Sequence, residues 1–465
     1  MTSHSRKIAE FGANLKLSDV PPEVVRRAKG IILDGLGCGL FAAKLKWTEI
    51  IAQTVKDLEP AGGSASVWGR GEKASATSAV LINGTAVQGY ELDDGNQACF
   101  HAAAVILPAV FAAAEFLGEE QVSGELLLTA IIAGFEIGPR IGLCMIGDQM
   151  IVKGWHAPGV FGSFPAAIAA GKVLGLDADG MYHALGIAGT QASGLMSAQF
   201  GSMVKRMQCA RNAQSGLYAA LLARNGLTGI ADVFEVEYGG FCTTFTQSND
   251  QFNLEELSKG FGSHWETMCI DLKRRAALGT NFSAMDAVEE IVAEHGITAD
   301  DVEEVIVKAT QATISHGIWY YEPTGLTAAQ MNLGFGIAMQ IIEGQTFVDE
   351  MVDANVDRPD LMELARKVRG KRDEKREQAP RNLHRGAEVE IRTKDGRSLS
   401  KVVDFFVGSH HRPLSDEQIT AKFRALGLKA FEMPVLNRIE DLVWDLEAQS
   451  NITELNRLLC SGSSA

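Results

Sequence analysis

Aromatic residues are scarce, 7% of 465 positions, and positive charge is in deficit: 43 lysines and arginines face 58 aspartates and glutamates, for a net charge of -15. Such a field repels nucleic acid and anionic membranes unless a basic patch overrides it. The densest charge run, RKVRGKRDEKREQAPR, interleaves acids with its bases and has no aromatic to stack on a nucleobase. It reads as a solvated helix and loop, and no nucleic-acid partner is expected. The seven cysteines (38, 99, 144, 209, 242, 269 and 460) show neither CxxC spacing nor a small-scaffold pattern. That leaves out zinc ribbons and disulfide frameworks and points to reduced thiols in a cytoplasmic protein. The longest apolar stretch, Ala102 to Ala114, contains Pro108 and falls short of the roughly 20 residues that cross a bilayer. The N-terminal MTSHSRKIAEFGANLKLSD has no apolar leader core, so no membrane partner is expected.

Catalytic signatures are missing as well. No glycine-rich run ends in GK[ST], and neither GxSxG nor HExxH occurs. GLGCGL lies within a helical pattern with no strand before it, so it reads as close helix packing rather than a phosphate loop. His410 and His411 have no nearby Cys or His partner in the sequence. Nucleotide, triad and metal chemistry therefore lack their usual marks.

What is present is 46% hydrophobic residues on a chain long enough for two or three domains. The first half is a succession of Ala- and Gly-rich helical runs, beginning within 18–43 and continuing at 48–58, 74–91, 102–117, 122–144, 160–174, 178–196 and 205–225. Low aromatic content and short polar breaks argue for a large all-α domain rather than a doubly wound sheet. Near residue 266 the pattern changes: ETMCIDLK and VEEVIVKAT are short β-branched runs around a helix at 283–296. The stretch AEVEIRTKDGRSLSKVVDF alternates in polarity and turns at Asp395-Gly396, a favoured hairpin dipeptide. Ser415 and Gln418 then form a capping box that returns the chain to helix.

Three polar stretches sit where helix ends or buried faces are expected. YELDDGNQACFH carries Glu91, Asp93 and Asp94 and sets His101 directly before a helix. GWHAPGVFGSF sets His156 before another. GSMVKRMQCARNAQSG puts Lys205, Arg206 and Arg211 on a helix of small and apolar residues. Imidazoles at helix starts lie near free backbone N–H groups and a positive dipole end, which attract anions and favour neutral histidine. With a reference pKa of about 6.5, such a pair suits acid-base work. A lysine on an apolar helix needs a carboxylate, from substrate or protein, with Asp93 or Asp94 as candidates. Taken singly, each group also reads as a cap or a satisfied core residue; the combination is what suggests a site.

At these residues the chain resembles the MmgE/PrpD family, which includes 2-methylcitrate dehydratase, cis-aconitate decarboxylase and iminodisuccinate epimerase. The resemblance rests on NGTAVQGYELDD, HAAAVILPAVFAAAE, GFEIGPRIG, GWHAPGVFGSFPAAIAAGKVLGLD, ALGIAGTQASGL, KRMQCARNAQSGLYAALLARNGLTG and PLSDEQITAKFRALG, in that order. It implies a mainly α protein: an all-helical domain built from residues 1–266 and 409–465, with a smaller α+β lid domain inserted over 267–408 and the active site between them. It also implies a homodimer that uses no organic cofactor and no metal and acts on a small di- or tricarboxylate.

Position by position, the resemblance makes His101 and His156 the two active-site histidines, Lys205 the lysine heading the KR helix, and Lys273 a lysine of the lid. Asp93 and Asp94 match an acidic pair, and Glu91 a nearby acidic position. His101, His156, Lys205 and Asp93 are the expected catalytic set, with Glu91, Asp94, Arg206, Lys273, Arg274 and Arg275 binding substrate. Arg274 and Arg275 depart from the family pattern and could grip an extra carboxylate. Leu278 or Phe282 stands where a lid histidine is usual, and Phe335 where decarboxylase-like members have a tyrosine. His316, Tyr320 and Tyr321 are candidate replacement donors. The leading expectation is a hydro-lyase that removes a proton α to a carboxylate. An epimerase or isomerase, a cis-aconitate-type decarboxylase and a non-catalytic polycarboxylate binder are the alternatives.

Overall fold

The computed structural model describes residues 2–461, and its fold is mainly α-helical. The helix Pro22–Ala42 shows why its glycines are there. A Cβ added at Gly35 would lie 2.6 Å from the Cβ of Ala103, and one at Gly37 3.2 Å from the Cα of Phe423. Both positions bring neighbouring helices to near backbone contact, so GLGCGL is a packing stripe. The helix Ala102–Leu117 continues through Pro108 with its first thirteen residues buried. Gly124–Cys144 is, among the described residues, the helix long and apolar enough to cross a membrane, but 89% of its most apolar window is buried inside the protein. It also carries the enclosed pair Glu136 and Arg140, 3.1 Å apart, as a core helix would.

Two boundaries differ from the sequence pattern. The run expected over 178–196 ends as α-helix at Ala188, and Lys205 and Arg206 lie in a 3₁₀ turn, Met203–Met207, ahead of the helix Gln208–Arg224. The cause is a tertiary pairing. The His156 N–H donates to the Gly194 carbonyl (3.1 Å), the Met196 N–H to the Gly154 carbonyl (2.9 Å), and the Gln208 side chain bonds both backbone groups of Leu195. A chain held extended there cannot stay helical. Similarly, ETMCIDLK is not a lid strand: Glu266–Cys269 is a 3₁₀ turn, and only Asp271–Leu272 is extended, antiparallel to Asp94–Gly95.

Hydrophobic burial divides into two main cores. One draws on residues 8–272 and 414–459, the other on 276–406 with Cys38, Tyr90, Leu92 and Leu426. The second holds a four-stranded sheet in the order Val368–Arg372, Val302–Ala309, Ala387–Thr393, Ser398–Val403; the first pair is parallel and the others antiparallel. Its hairpin turns at Asp395-Gly396, with Gly396 at φ +87°, where glycine avoids the Cβ penalty. The helix Phe282–His295 covers the hairpin strands. Ser415 and Gln418 close a capping box on Asp416–Gly427, which packs against Pro22–Ala42.

Candidate active site

The loop between Val87 and Ala102 sets the site. It is clamped from two directions: Lys422, itself paired with Asp34, donates to the Leu92 carbonyl (2.6 Å), and Gln330 donates to the Tyr90 carbonyl (2.9 Å). Glu91 adopts a left-handed φ of +53°, uncommon for a residue with a Cβ and held only where surroundings over-determine it. Asp94 accepts from the N–H groups of Ala102 (2.6 Å) and Ala103 (2.8 Å). The anion-attracting helix start expected next to His101 is thus capped by the protein's own carboxylate.

His101 and His156 both occupy N-cap positions, as their place before apolar runs suggests. Their rings lie 6.4 Å apart at 22° to each other. Asp93 is 2.9 Å from His101 Nδ1. Burial acts to raise the Asp93 pKa, but His101 and Lys273 outweigh it and hold the carboxyl below its ordinary value. An ionised Asp93 accepts the Nδ1 proton and leaves Nε2 as the basic nitrogen. Burial, then Asp93, push Asp94 up to about 7. His156 is buried, with Nδ1 lacking a hydrogen-bond partner. Burial first, then Lys205 and His101, depress it well below the usual imidazole range, so it is neutral near pH 7.

Three cations converge on one carboxylate. Lys205 Nζ and Arg206 Nη1 (3.1 Å) meet Glu91 Oε1, while Lys273 Nζ lies 3.4 Å from Glu91 Oε2 and 3.6 Å from Asp93. Burial alone would raise Glu91, yet Lys205, Lys273 and Arg206 hold it well below the carboxylate norm. Lys205 thus pairs with Glu91 rather than Asp93 or Asp94, whose oxygens serve His101 and the helix cap. Arg206 also bonds Thr327 (3.2 Å) and Gln330, two partners that sequence reading did not single out.

Lys273 reaches this cluster through the short pairing of Asp94–Gly95 with Asp271–Leu272. The next two residues do not join it. Arg274 bonds Asp286 (2.9 Å) and Glu289; Arg275 bonds Asp286, Glu289 (2.6 Å) and Gln340 (3.2 Å). Their forks tie the strap to the helix Phe282–His295, where they meet its carboxylates instead of a ligand's. Tyr321 is buried with its hydroxyl on the Val356 carbonyl (2.8 Å), its ring against the buried Phe335, and Tyr320 is exposed. Phe282 packs on Phe406. Leu278 joins Met196 and Met331 in a small apolar cluster bordered by Trp319. Its N–H bonds the Gln330 carbonyl (2.9 Å), so this apolar wall stands next to the Arg206 anchor.

Lys205, Lys273 and His156 are only 3–4% exposed. Two surface recesses, of 310 and 500 Å³, lie beside Trp444 and beside Arg366 and include none of these groups. Sequence reading expected no metal site. Among the described residues, His264, Glu266 and Cys269 place ligand-type atoms within 4.8 Å of one another. The Arg140 guanidinium already stands 3.6 Å from that glutamate and partly neutralises it.

The family model described as MmgE/PrpD N-terminal domain matches residues 6–253, and that described as MmgE/PrpD C-terminal domain matches 276–448. The chain belongs to the MmgE/PrpD family. It is 37% identical to a cis-aconitate decarboxylase of Aspergillus terreus (strain NIH 2624 / FGSC A1156), over 97% of this chain and 95% of that one. The cis-aconitate decarboxylase-like protein oryM of Aspergillus oryzae is 36% identical over 97% of this chain and 96% of its own. The human cis-aconitate decarboxylase is 27% identical over 96% and 92%. Within this MmgE/PrpD chain, the matched segments contain His101, His156 and Lys205 in the first and the helix Phe282–His295 in the second. Lys273 falls in the short interval between them.

Proposed function

We propose that this protein is a lyase acting on a small tricarboxylate, and that its reaction is decarboxylation of a cis-aconitate-like acid. The carrying observation is the enclosed convergence of two imidazoles, 6.4 Å apart, on a cluster of two ammoniums and a guanidinium. Decarboxylation takes precedence over the dehydration expected first because relatives matching 97% of the chain bear decarboxylase names. The α+β segment serves as the lid and the helical core as the base of the site.

The chemistry follows from the substrate class. In an unsaturated tricarboxylate the carboxylate on the allylic methylene leaves as carbon dioxide. Its C–C bonding pair becomes a new C=C bond, and the old double-bond pair moves to the carbon α to the terminal carboxylate as a dienediolate. Lys205 and Lys273 stabilise that developing charge in a water-poor site. An imidazole of the site then delivers a proton to the α-carbon, leaving a terminal methylene in an open-chain dicarboxylate. A bound polyanion favours the imidazolium, so His156, neutral in the free protein, gains its proton as the substrate arrives. Arg206, buried and shared between Glu91 and Gln330, positions Glu91 rather than touching the substrate.

The test is incubation with cis-aconitate in D2O, followed by NMR. Methylene signals with carbon dioxide release and one deuterium at the α-carbon support the reading. Vinyl signals formed from saturated hydroxy acids would assign elimination instead. Deuterium exchange with inversion would assign epimerisation, and binding without exchange a silent binder.

A further inference from the structure

His316 is a partly buried imidazole whose Nε2 has no hydrogen-bond partner. It lies in the short helix Gln311–Gly317, which packs on the turn Gly279–Asn281. That turn borders the site: a Cβ on Gly279 would lie 3.9 Å from Lys273 Cε, and one on Gly317 would lie 2.5 Å from Asn281 Oδ1. His316 Nε2 is closed off from solvent and has no hydrogen-bond partner, and the same holds for Thr280 Oγ1 and Asn281 Oδ1 beside it. Enclosed polar atoms are nearly always satisfied, because a bare one forfeits the hydrogen bonds it made to water. Several together on one wall indicate a surface shaped for a polar guest.

We propose that His316 is a catalytic residue contributed by the second core, touching the substrate across the site from His156 and donating a hydrogen bond, then a proton, to it. This rests on the lyase reading above. His101 and His156 lie on elements of the first core, Lys273 lies in the crossing between the two cores, and Leu278 and Met331 form a small apolar cluster of their own. A planar dienediolate has two faces, and the face turned towards this wall has His316 as its proton source. Burial first, and then Lys205, hold His316 down to about 4, against the pull of Glu91. In the free protein it is therefore a neutral imidazole, able to donate one N–H without drawing an anion from solution. The substrate's carboxylates, brought close to it, favour its protonated form. The step balances: the proton passes from His316 to carbon, and solvent reprotonates the imidazole after product leaves.

Two measurements on the full chain test this. In the first, His316→Gln and His316→Asn are assayed with cis-aconitate. The expected result is a fall in kcat of about 10²-fold or more, with KM changed much less and the thermal midpoint retained, since no hydrogen bond within the fold is lost. A kcat within threefold of the parent overturns the proposal. In the second, protein labelled with 15N-histidine is titrated with tricarballylate, a saturated tricarboxylate that cannot react, and His316→Gln assigns the resonance. Movement of both the His316 and His156 signals supports the contact even if cis-aconitate is not turned over. Movement of His156 alone overturns the role of His316 and leaves the polycarboxylate site standing. Movement of neither overturns both.

Discussion

Replacing Glu91 by Gln removes the one carboxylate shared by Lys205, Arg206 and Lys273 and leaves the three cations facing each other. At an effective dielectric of about 20, a unit charge pair at the 3.1 Å of Arg206 or the 3.4 Å of Lys273 is attracted by about 5 kcal/mol. Desolvation offsets much of this in the intact cluster. Removing one partner alone strands buried charge, and such changes destabilise by about 3–5 kcal/mol. The variant should show that loss in urea unfolding. It should also bind a polycarboxylate more tightly than the parent, because the guest no longer competes with an internal anion. Tricarballylate present at a hundred times its Kd stabilises a protein by about 2.7 kcal/mol. At one fixed concentration it should therefore raise the midpoint of Glu91→Gln more than that of the parent. A loss below about 1 kcal/mol, or equal stabilisation of the two proteins, would refute the view that Glu91 holds these cations in the site.

Two further outcomes follow from the same charges. Lys205→Met should lower kcat by more than tenfold if that ammonium stabilises the developing dienediolate; near-normal turnover would remove it from the mechanism. For Asp94, the folded pKa of about 7 lies above the unfolded value near 3.8, so the fold favours the protonated acid. That contribution is present at low pH and is lost as pH climbs between about 4 and 7, by on the order of 4 kcal/mol. Asp94→Asn escapes this loss, so its stability relative to the parent should improve from pH 5 to pH 8 in urea titrations. A pH-independent difference would show that Asp94 does not carry the burdened proton.

Much of the helical core is legible because alanine-rich runs with polar breaks have one good packing solution, and the chain takes it. The pattern fails at 188–207, where backbone pairing with residues 154–156 overrides helix propensity. Nothing in the local composition announces a partner forty residues away. The site was legible in its members but not in their pairings. His101, His156, Lys205 and Lys273 could be named from residue type and resemblance. That Lys205 meets Glu91 depends on Asp94 being committed to two backbone N–H groups and Asp93 to His101, which only geometry reveals. Arg274 and Arg275 looked free for a ligand because their partners, Asp286 and Glu289, lie on a helix that folds back over the strap. Gln330 and Thr327 escaped notice since uncharged side chains in an apolar run give no signal until a guanidinium is found against them.

The chain passes into and out of the second core at nearly one point. Leu272 donates to the Gly408 carbonyl (2.8 Å), Asp271 holds His410 (2.8 Å), and the same strap pairs with Asp94–Gly95. Two chain segments stitched side by side thus make one narrow crossing between the two cores. Away from this crossing, Tyr90 donates to the Met351 carbonyl and Gln330 to the Tyr90 carbonyl, so opening the proposed lid would have to break both bonds while the crossing itself stays joined.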